Sequence, residues 1–528
     1  MVNWLRSLFM PAPRLQLAPD ALPVPWSAGR MAVHDRICTS ETQSDGSLRN
    51  PSFPLFGERA PGATAWDGAT DYSANDHRSA PARAQAHAVN TALHRAAGHH
   101  AAPHLDTLYQ ALLSAPDEML AGDVLTRLDK TGADPARMAL LARWLARKAP
   151  DAMPVKIAIA VLGRYGNASD ADLLMTLGLH EAFTQLCAIA LCQLLGPEQS
   201  QTAMWNLARR VRGWGRIHVV RKLAGTQCPE IQQWLLRDGY KNTRMSASLA
   251  YLCATGGNLL EALKAPAPDE RLLLGAGEIL QILCEGREGP DKTMADYADG
   301  AAATLAYLHC VQRQRPQQLQ VAATVRAIAA MDSDGWDDAQ LRHVRHLAGQ
   351  VLAMDDWPAL VRDKLRSGTD DQFELAAQLA PDFRVDPWDF HFAKQQRRER
   401  SQWFGLTSTT DPARVERYVA LALEQLDLAA EQGPHDAETR SAINWLAIGL
   451  RKFSGKGWPI LRAALSGDDR ANKSNAVDTL ARWRSVHWHA QAEDVLERAW
   501  CSEAQGELKQ QMEALLEKTA GARTRSGA

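Results

Sequence analysis

The sequence lacks the features that mark membrane, cysteine-metal and strongly charged proteins. No uninterrupted apolar run approaches the roughly 20 residues that a membrane-spanning helix needs. The 8 cysteines include no C-x-x-C pair, which argues against a zinc site or redox dithiol and favours free thiols in a reducing compartment. The 59 basic and 61 acidic residues give a formal net charge of -2, so no global field attracts nucleic acid or an anionic membrane. These absences predict a soluble, cytoplasmic protein that contacts its partners locally.

Motifs for the common cofactors are absent too. No Gly-x-Gly-x-x-Gly follows a strand pattern, and no haem-thiolate loop or paired His-x-Asp set occurs. The neighbouring histidines His94, His99, His100 and His104 are interrupted by Pro103, and no cysteine or paired carboxylate completes a tetrahedral set. The sequence therefore predicts no metal, no cofactor and no catalytic residue. An enzyme is the least favoured class, although a site assembled from distant elements leaves no local spacing.

The composition separates an N-terminal arm from a helical body. Residues 1–84 are rich in Pro, Ser, Gly and Asp and show no sustained helical period, so we expect a largely irregular arm that does not join the core. Within it, Met1–Met10 is expected to form at most a short amphipathic helix. Beyond the arm, apolar stripes alternate with short Gly, Pro and Asp breaks, with almost no strand-like alternation. The fold class predicted is all-α.

Three stripes have clear helical spacing. The first places six apolar residues at i, i+3, i+4, i+7, i+8 and i+11, before a break at Gly196-Pro197: Phe183, Leu186, Cys187, Ala190, Leu191 and Leu194. The second repeats this spacing over Val415–Leu426, with Asp411 as the expected N-cap and Pro412 at the first helical position. The third covers Ala442–Phe453. Successive helices of this kind bury their apolar faces only against one another.

Two segments show a helix, a polar turn and a second helix. Val161–Leu174 has a helix end with Leu162-Gly163 and Gly166, and then Ser169 and Asp172, the expected capping box. Ile460–Leu480 has the same order of features. These segments resemble HEAT repeats, although the V-R pair of that family is replaced in the second by Asn472-Lys473. The resemblance implies an α-α superhelix, a HEAT-like solenoid of on the order of ten helix pairs with one concave face.

The breaks in helical texture predict five segments. The irregular arm covers 1–84. HEAT-like repeats cover 85–380 and 411–520, and an irregular connector covers 381–410. A disordered tail is expected over 521–528.

The most distinctive local feature is a basic patch at an expected helix-to-helix turn. Its candidate binding residues are Arg209, Arg210, Arg212, Trp214, Arg216, His218, Arg221 and Lys222. Such cations grip phosphates, and an aromatic ring stacks on a base or packs on a peptide. In the alternative, structural interpretation, Trp214 fills a gap between helices, Gly213 and Gly215 permit the turn, and the arginines are solvated. The segment that continues to Asn242 resembles bacterial HEAT-like proteins, some of which carry the name limonene hydroxylase, but no motif here supports oxygen chemistry.

Two functions follow as hypotheses. The leading one is a non-catalytic scaffold that binds a protein partner of unknown identity through a solenoid surface, because rigid scaffolds carry function on their exposed loops and faces. The alternative is nucleic-acid binding through the basic patch.

Overall fold

Helices form nearly all of the regular structure. The computed structural model describes residues 22–55, 80–115, 134–242, 246–286, 292–331, 336–428, 436–483 and 487–526. These residues contain 26 α-helices and no strand, and an isolated antiparallel bridge joins Thr42 and Leu48. The predicted all-α class is confirmed. Two units divide the chain, Met1–Met354 and Asp355–Ala528.

The first unit contains helices α1 to α16. Their bounds are α1 Val33–Thr39, α2 Ala80–Gly98, α3 Ala102–Leu113, α4 Pro135–Lys148, α5 Ala152–Tyr165, α6 Ala171–Leu177, α7 Glu181–Leu194, α8 Pro197–Arg210, α9 Gly213–Leu223, α10 Pro229–Trp234, α11 Ala247–Gly256, α12 Leu259–Lys264, α13 Glu270–Glu285, α14 Gly300–Gln314, α15 Leu319–Ala330 and α16 Asp338–Leu352. Short 3-10 turns lie at Ala168–Asp170 and Met294–Asp296, and a π-turn, Leu235–Gly239, continues α10.

The second unit contains helices α17 to α26. Their bounds are α17 Asp356–Ser367, α18 Asp370–Leu379, α19 Trp388–Gln396, α20 Trp403–Thr407, α21 Pro412–Gln425, α22 Ala437–Gly449, α23 Trp458–Ser466, α24 Arg470–Arg482, α25 Ala492–Ser502 and α26 Glu507–Ser526. A 3-10 turn at Leu450–Lys452 follows α22.

Within each unit, a helix packs mainly on helices one or two places along the chain. In the first unit α5 packs on α4 and α7, and α7 packs on α8 and α9. In the second unit α22 packs on α23 and α24, and α25 packs on α23 and α26. Each helix therefore buries its apolar face against near neighbours in sequence.

Five of the six residues predicted for the α7 stripe are buried, and Leu194, the last of them, is half-buried. Phe183 and Leu191 are fully buried, and Leu186 is nearly so. The helix ends at Leu194, and the chain turns at Gly196 so that Pro197 opens α8. The stripe of α21 is narrower than predicted, because Leu423 is 48% exposed.

Helix caps follow the sequence in one place and depart from it in another. Asp411 accepts a hydrogen bond from the Ala413 amide and Pro412 opens α21, as expected. Before α6, however, the capping box consists of Asn167 and Asp170, so the predicted pair of Ser169 and Asp172 is wrong. The Asn167 side chain binds the Ser169 amide at 2.9 Å, and Asp170 binds back to the Asn167 amide at 3.0 Å.

The structure differs from the prediction of an irregular arm over 1–84. Residues 22–55, called here the docking segment, include α1 and lie against α4, α6 and the start of α7. Arg30 forms a bidentate ion pair with the buried carboxylate of Asp151, with N–O distances of 2.7 and 2.9 Å. Trp26 stacks on Trp144 at 5.2 Å. These contacts join single residues far apart in the chain and follow no repeating spacing, so composition alone does not predict them. The predicted helix at Met1–Met10 lies outside the described residues.

Two further segment predictions differ from the structure. The predicted connector, 381–410, contains α19 and α20. Trp388 in α19 donates its indole N–H to the Leu406 carbonyl at 2.9 Å, so this stretch is part of the helical packing. The predicted tail, 521–528, continues α26 as far as Ser526.

A membrane span requires a helix of sufficient length and hydropathy. In the described ranges, no helix is both long enough and apolar enough to cross a bilayer.

Candidate functional site

The predicted basic patch spans the end of α8, a sharp turn and all of α9. Gly213 opens α9 with φ +62°, a conformation that disfavours any residue with a Cβ. Asn242 clamps this glycine, because its side chain accepts from the Gly213 amide at 2.8 Å and donates to the Gly213 carbonyl at 3.0 Å. Glu181 accepts from the Trp214 amide at 2.9 Å, and a Cβ on Gly213 would overlap this carboxylate. The turn is therefore fixed by contacts from two other elements.

Two of the eight predicted residues are buried in the fold. Arg216 is only 4% exposed. Its Nε donates to the Gly239 carbonyl at 3.4 Å and its Nη2 to the Asp238 carbonyl at 2.5 Å. His218 is buried behind Trp214, whose half-buried ring stacks on it at 6.3 Å.

Arg216 is a buried cation without a carboxylate partner among the described residues. Its guanidinium lies over the Trp234 ring at 5.3 Å. Burial, reinforced by the charge of Arg212, lowers the pKa of Arg216 to about 10, so the group stays charged at neutral pH. Backbone carbonyls solvate this charge but do not neutralise it.

Two other predicted arginines are engaged by the docking segment. The bridge between Thr42 and Leu48 closes a loop, residues 42–48, that we call the Asp45 loop. Asp45 forms an ion pair with Arg212, and the Gly46 carbonyl accepts a hydrogen bond from Arg210 Nε at 3.2 Å.

The Asp45 carboxylate is held ready for this contact. Its second oxygen accepts hydrogen bonds from the Ser47 amide at 2.9 Å and from the Ser47 hydroxyl at 2.6 Å. Burial disfavours the ionised form, but the Ser47 hydrogen bonds and the charge of Arg212 outweigh it, so the pKa of Asp45 lies below its ordinary value. The loop thus presents a fixed negative charge to the basic patch.

The remaining cations of the patch are exposed. The Arg209 guanidinium lies over the Trp205 ring at 5.5 Å. Arg221 and Lys222 lie in the last turn of α9. Neither lines the cavities that adjoin Arg209, so the structure does not gather all eight residues on one surface.

Two cavities flank Asp45 and Arg209. The larger, called the groove, has a volume of about 840 Å³. It runs between α6 and α8, and its lining residues are Asp45, Ala171, Asp172, Met175, Glu198, Gln199, Thr202, Ala203, Asn206, Arg209 and Arg210.

The smaller cavity, called the cleft, has a volume of about 360 Å³. Its lining residues are Asp45, Arg209, Arg212, Arg216, Trp234, Asp238, Lys241 and Asn242. Three of the predicted binding residues meet here, and the rest of the lining comes from the Asp45 loop, from the end of α10 and from the chain that follows it. The sequence shows Trp234 and Asn242 close behind the patch, but no spacing identifies Asp45, which lies 167 positions before Arg212.

In the described parts of the chain, no group of three His, Cys, Asp or Glu residues is placed to hold a metal ion. The rings of His99 and His104 lie 6.0 Å apart. Burial, with the charge of Arg137, lowers the pKa of His100.

Comparisons with known proteins give no assignment. No protein-family model, no curated protein and no solved structure matches this chain.

Proposed function

We propose that this protein is a helical-repeat scaffold that binds a protein partner, with the groove between α6 and α8 as the binding surface. The support for a repeat architecture is the near-neighbour packing of helices within each unit together with HEAT-like turns at Val161–Leu174 and Ile460–Leu480. In such architectures the exposed faces of successive helices form the recognition surface.

The observation that carries the proposal is the mixed chemistry of the groove. Acidic Asp172 and Glu198 line it together with basic Arg209 and Arg210. Amides and small apolar side chains, including Asn206 and Ala203, lie between them. An extended polypeptide carries charges of both signs, backbone donors and acceptors, and apolar side chains, so it matches this lining.

The same lining disfavours nucleic acid in the groove. Phosphates would approach the carboxylates of Asp45, Asp172 and Glu198, and like charges repel. Of the predicted basic patch, Arg216 and His218 are buried and Arg212 is paired with Asp45. Few of its cations thus face solvent as a continuous track for a phosphate backbone.

Site-specific photo-crosslinking tests this function. A photo-reactive amino acid is placed at Gln199 or Asn206, both exposed on α8, and as a matched control at Gln227, which is exposed outside the groove. We expect the same single protein to be captured from cell lysate at both groove positions and not at the control. Unlabelled partner in excess should abolish the capture.

Three outcomes would contradict the proposal. They are capture of oligonucleotide instead of protein, equal capture at Gln227, and no specific adduct at either groove position. The first would favour the nucleic-acid hypothesis, and a steep fall of affinity with salt would then be expected.

A further inference from the structure

Among the described residues that line the cleft, positive charges outnumber negative ones. Four cations line it, namely Arg209, Arg212, Arg216 and Lys241, against the two carboxylates of Asp45 and Asp238. One of these carboxylates is shared: Asp238 pairs at 3.2 Å with Lys241 of the cleft and at 2.9 Å with Arg271, which does not line the cleft. Positive charge gathered in a recess attracts anions.

The most buried of these cations, Arg216, has no carboxylate in an ion pair with it among the described residues. Arg216 has two described hydrogen bonds, both to carbonyl oxygens, out of the five N–H donors that a guanidinium offers. Its neighbour Arg212 carries a like charge and contributes to lowering the pKa of Arg216. Holding both cations side by side is unfavourable unless negative charge lies between or beside them.

Asp45 supplies part of that negative charge from outside the helical packing. It reaches Arg212 at the tip of the Asp45 loop, while its other oxygen binds Ser47. The loop is joined to the patch by this ion pair and by the hydrogen bond from Arg210 to Gly46. A carboxylate held in this way occupies the place of an external anion at the cleft.

We propose that the cleft binds a phosphate monoester group, which replaces the Asp45 carboxylate at Arg212 and reaches Arg216 at the base. Arg209 and Lys241 at the rim complete the contacts. A phosphate dianion has oxygens for several guanidinium and ammonium donors at once, whereas one carboxylate has two, and arginine binds phosphate in bidentate geometry. The Trp234 ring, against which Arg216 lies, holds that guanidinium in position.

The size of the cleft limits the ligand to a compact group. Its volume of about 360 Å³ is less than half that of the adjoining groove. Arg216 at the base is 4% exposed, so only a terminal phosphate approaches it. Free inorganic phosphate and a phosphorylated side chain share this chemistry, and binding at the cleft does not depend on a protein occupying the groove.

Calorimetric titration of the purified full-length protein with inorganic phosphate, at constant ionic strength set with chloride, tests the proposal. We expect saturable binding to one site. Replacing the exposed rim cations together, Arg209→Ala with Lys241→Ala, should weaken binding by about tenfold or more, since each lost charge-assisted hydrogen bond lowers the affinity. Lys222→Ala is the matched control, because it removes an exposed cation of α9 that does not line the cleft, and it should leave the affinity within about twofold.

Asp45→Asn gives the opposite change. Removing the competing carboxylate should tighten phosphate binding by about three- to tenfold. Hydrogen exchange provides a second readout: phosphate should raise exchange in the Asp45 loop while it protects the chain around Arg216. General stabilisation by an anion would instead protect both regions.

A phosphoserine peptide and its unphosphorylated form distinguish the two sources. Tighter binding of the phosphopeptide than of inorganic phosphate would show that the phosphate ligand belongs to a polypeptide. Equal or weaker binding would show that the ligand is a free phosphate. Both results support phosphate binding in the cleft. The proposal is overturned by absence of saturable binding, by an equal loss of affinity in Lys222→Ala, or by an unchanged affinity in Asp45→Asn. It is also overturned if a single-stranded oligonucleotide without a terminal phosphate competes better than either phosphate probe.

Discussion

Helix α7 and the docking segment lie in contact within the same unit, yet different forces hold them. The α7 stripe buries its apolar residues along one face, including Phe183 and Leu191. The docking segment instead relies on polar anchors at separated points, among them Arg30 on Asp151 and Asp45 on Arg212. It also buries apolar residues, namely Val33 and Ile37 one turn apart on the short helix α1 and single residues such as Leu48 in its loops.

The comparison shows which interactions leave a trace in the sequence. A helical face repeats within a few residues, so its burial is readable from spacing. An ion pair between residues 30 and 151 joins positions 121 apart and repeats nowhere. The two regions should accordingly differ in how much stability one substitution removes and in how far the effect spreads.

The largest effect is expected in the α7 stripe. Leu191→Ala should lower the free energy of unfolding by about 2 to 5 kcal/mol, because it removes buried apolar contacts and leaves a cavity. Urea unfolding followed by circular dichroism measures this loss. The damage should extend mainly to α5, α6, α8 and α9, which pack on α7.

The matched control for Leu191→Ala is the same substitution at Leu113, which is 41% exposed at the end of α3. It should cost less than about 0.5 kcal/mol. Equal losses of unfolding free energy at Leu191 and Leu113 would show that the α7 stripe does not contribute more to stability than an exposed leucine does.

A smaller and more local effect is expected from the main anchor of the docking segment. Arg30→Ala removes the bidentate partner of buried Asp151 and should cost about 1.5 to 3 kcal/mol of docking free energy. Hydrogen exchange of the Val33 amide, which donates to the Ala149 carbonyl at 3.0 Å, should accelerate while the α7 amides stay protected.

Arg49→Ala is the control for this anchor, because Arg49 pairs with Glu41 at the surface with both side chains 75% exposed. Its effect on exchange should be close to zero. If Arg30→Ala also exposed α7, the docking segment would be an integral part of the core and not an element docked on it.

The smallest effect is expected at the other polar anchor. Asp45→Asn should destabilise the Asp45 loop by about 0.2 to 1 kcal/mol, because its pair with Arg212 is partly solvated. The pKa of Asp45 lies below its ordinary value in the folded protein, so the ion pair contributes fully at a pH well above the ordinary carboxyl pKa, and its contribution is lost as the pH falls through the depressed pKa.

Thermal unfolding of wild-type and Asp45→Asn protein across this pH range measures the effect. The difference between them should be constant near neutral pH and vanish in acid, when Asp45 is protonated in the wild type as well. A difference that persists in acid would mean that the carboxamide disturbs the loop by its shape and not by its charge.

The sequence predicts the elements of the candidate site better than their assembly. Spacing locates the basic patch, and its Arg209, Arg212 and Arg216 do meet in the cleft. Spacing does not show that Arg221 and Lys222 lie outside the cleft, because successive side chains of α8, the turn and α9 point in different directions. Burial of Arg216 depends on carbonyls of the chain after α10, which only the three-dimensional packing supplies.

The rest of the site depends on partners remote in the chain. Asp45 belongs to a stretch whose Pro, Gly and Ser content predicts an irregular arm. That composition describes its backbone well, since the segment is mostly loop, but says nothing about where the loop lies. The contact is decided by a few polar groups whose complementarity appears only when α8 and α9 have folded.

The order of synthesis gives the Asp45 contact a further consequence. The docking segment leaves the ribosome well before its binding surface, because Arg212 is made 167 residues after Asp45. Until α9 has emerged and packed, the Asp45 loop has no Arg212 to pair with, and closing so long a loop is entropically costly. Its attachment is therefore a late event in folding, and the nascent arm is open to proteases and chaperones until the helices behind it are complete.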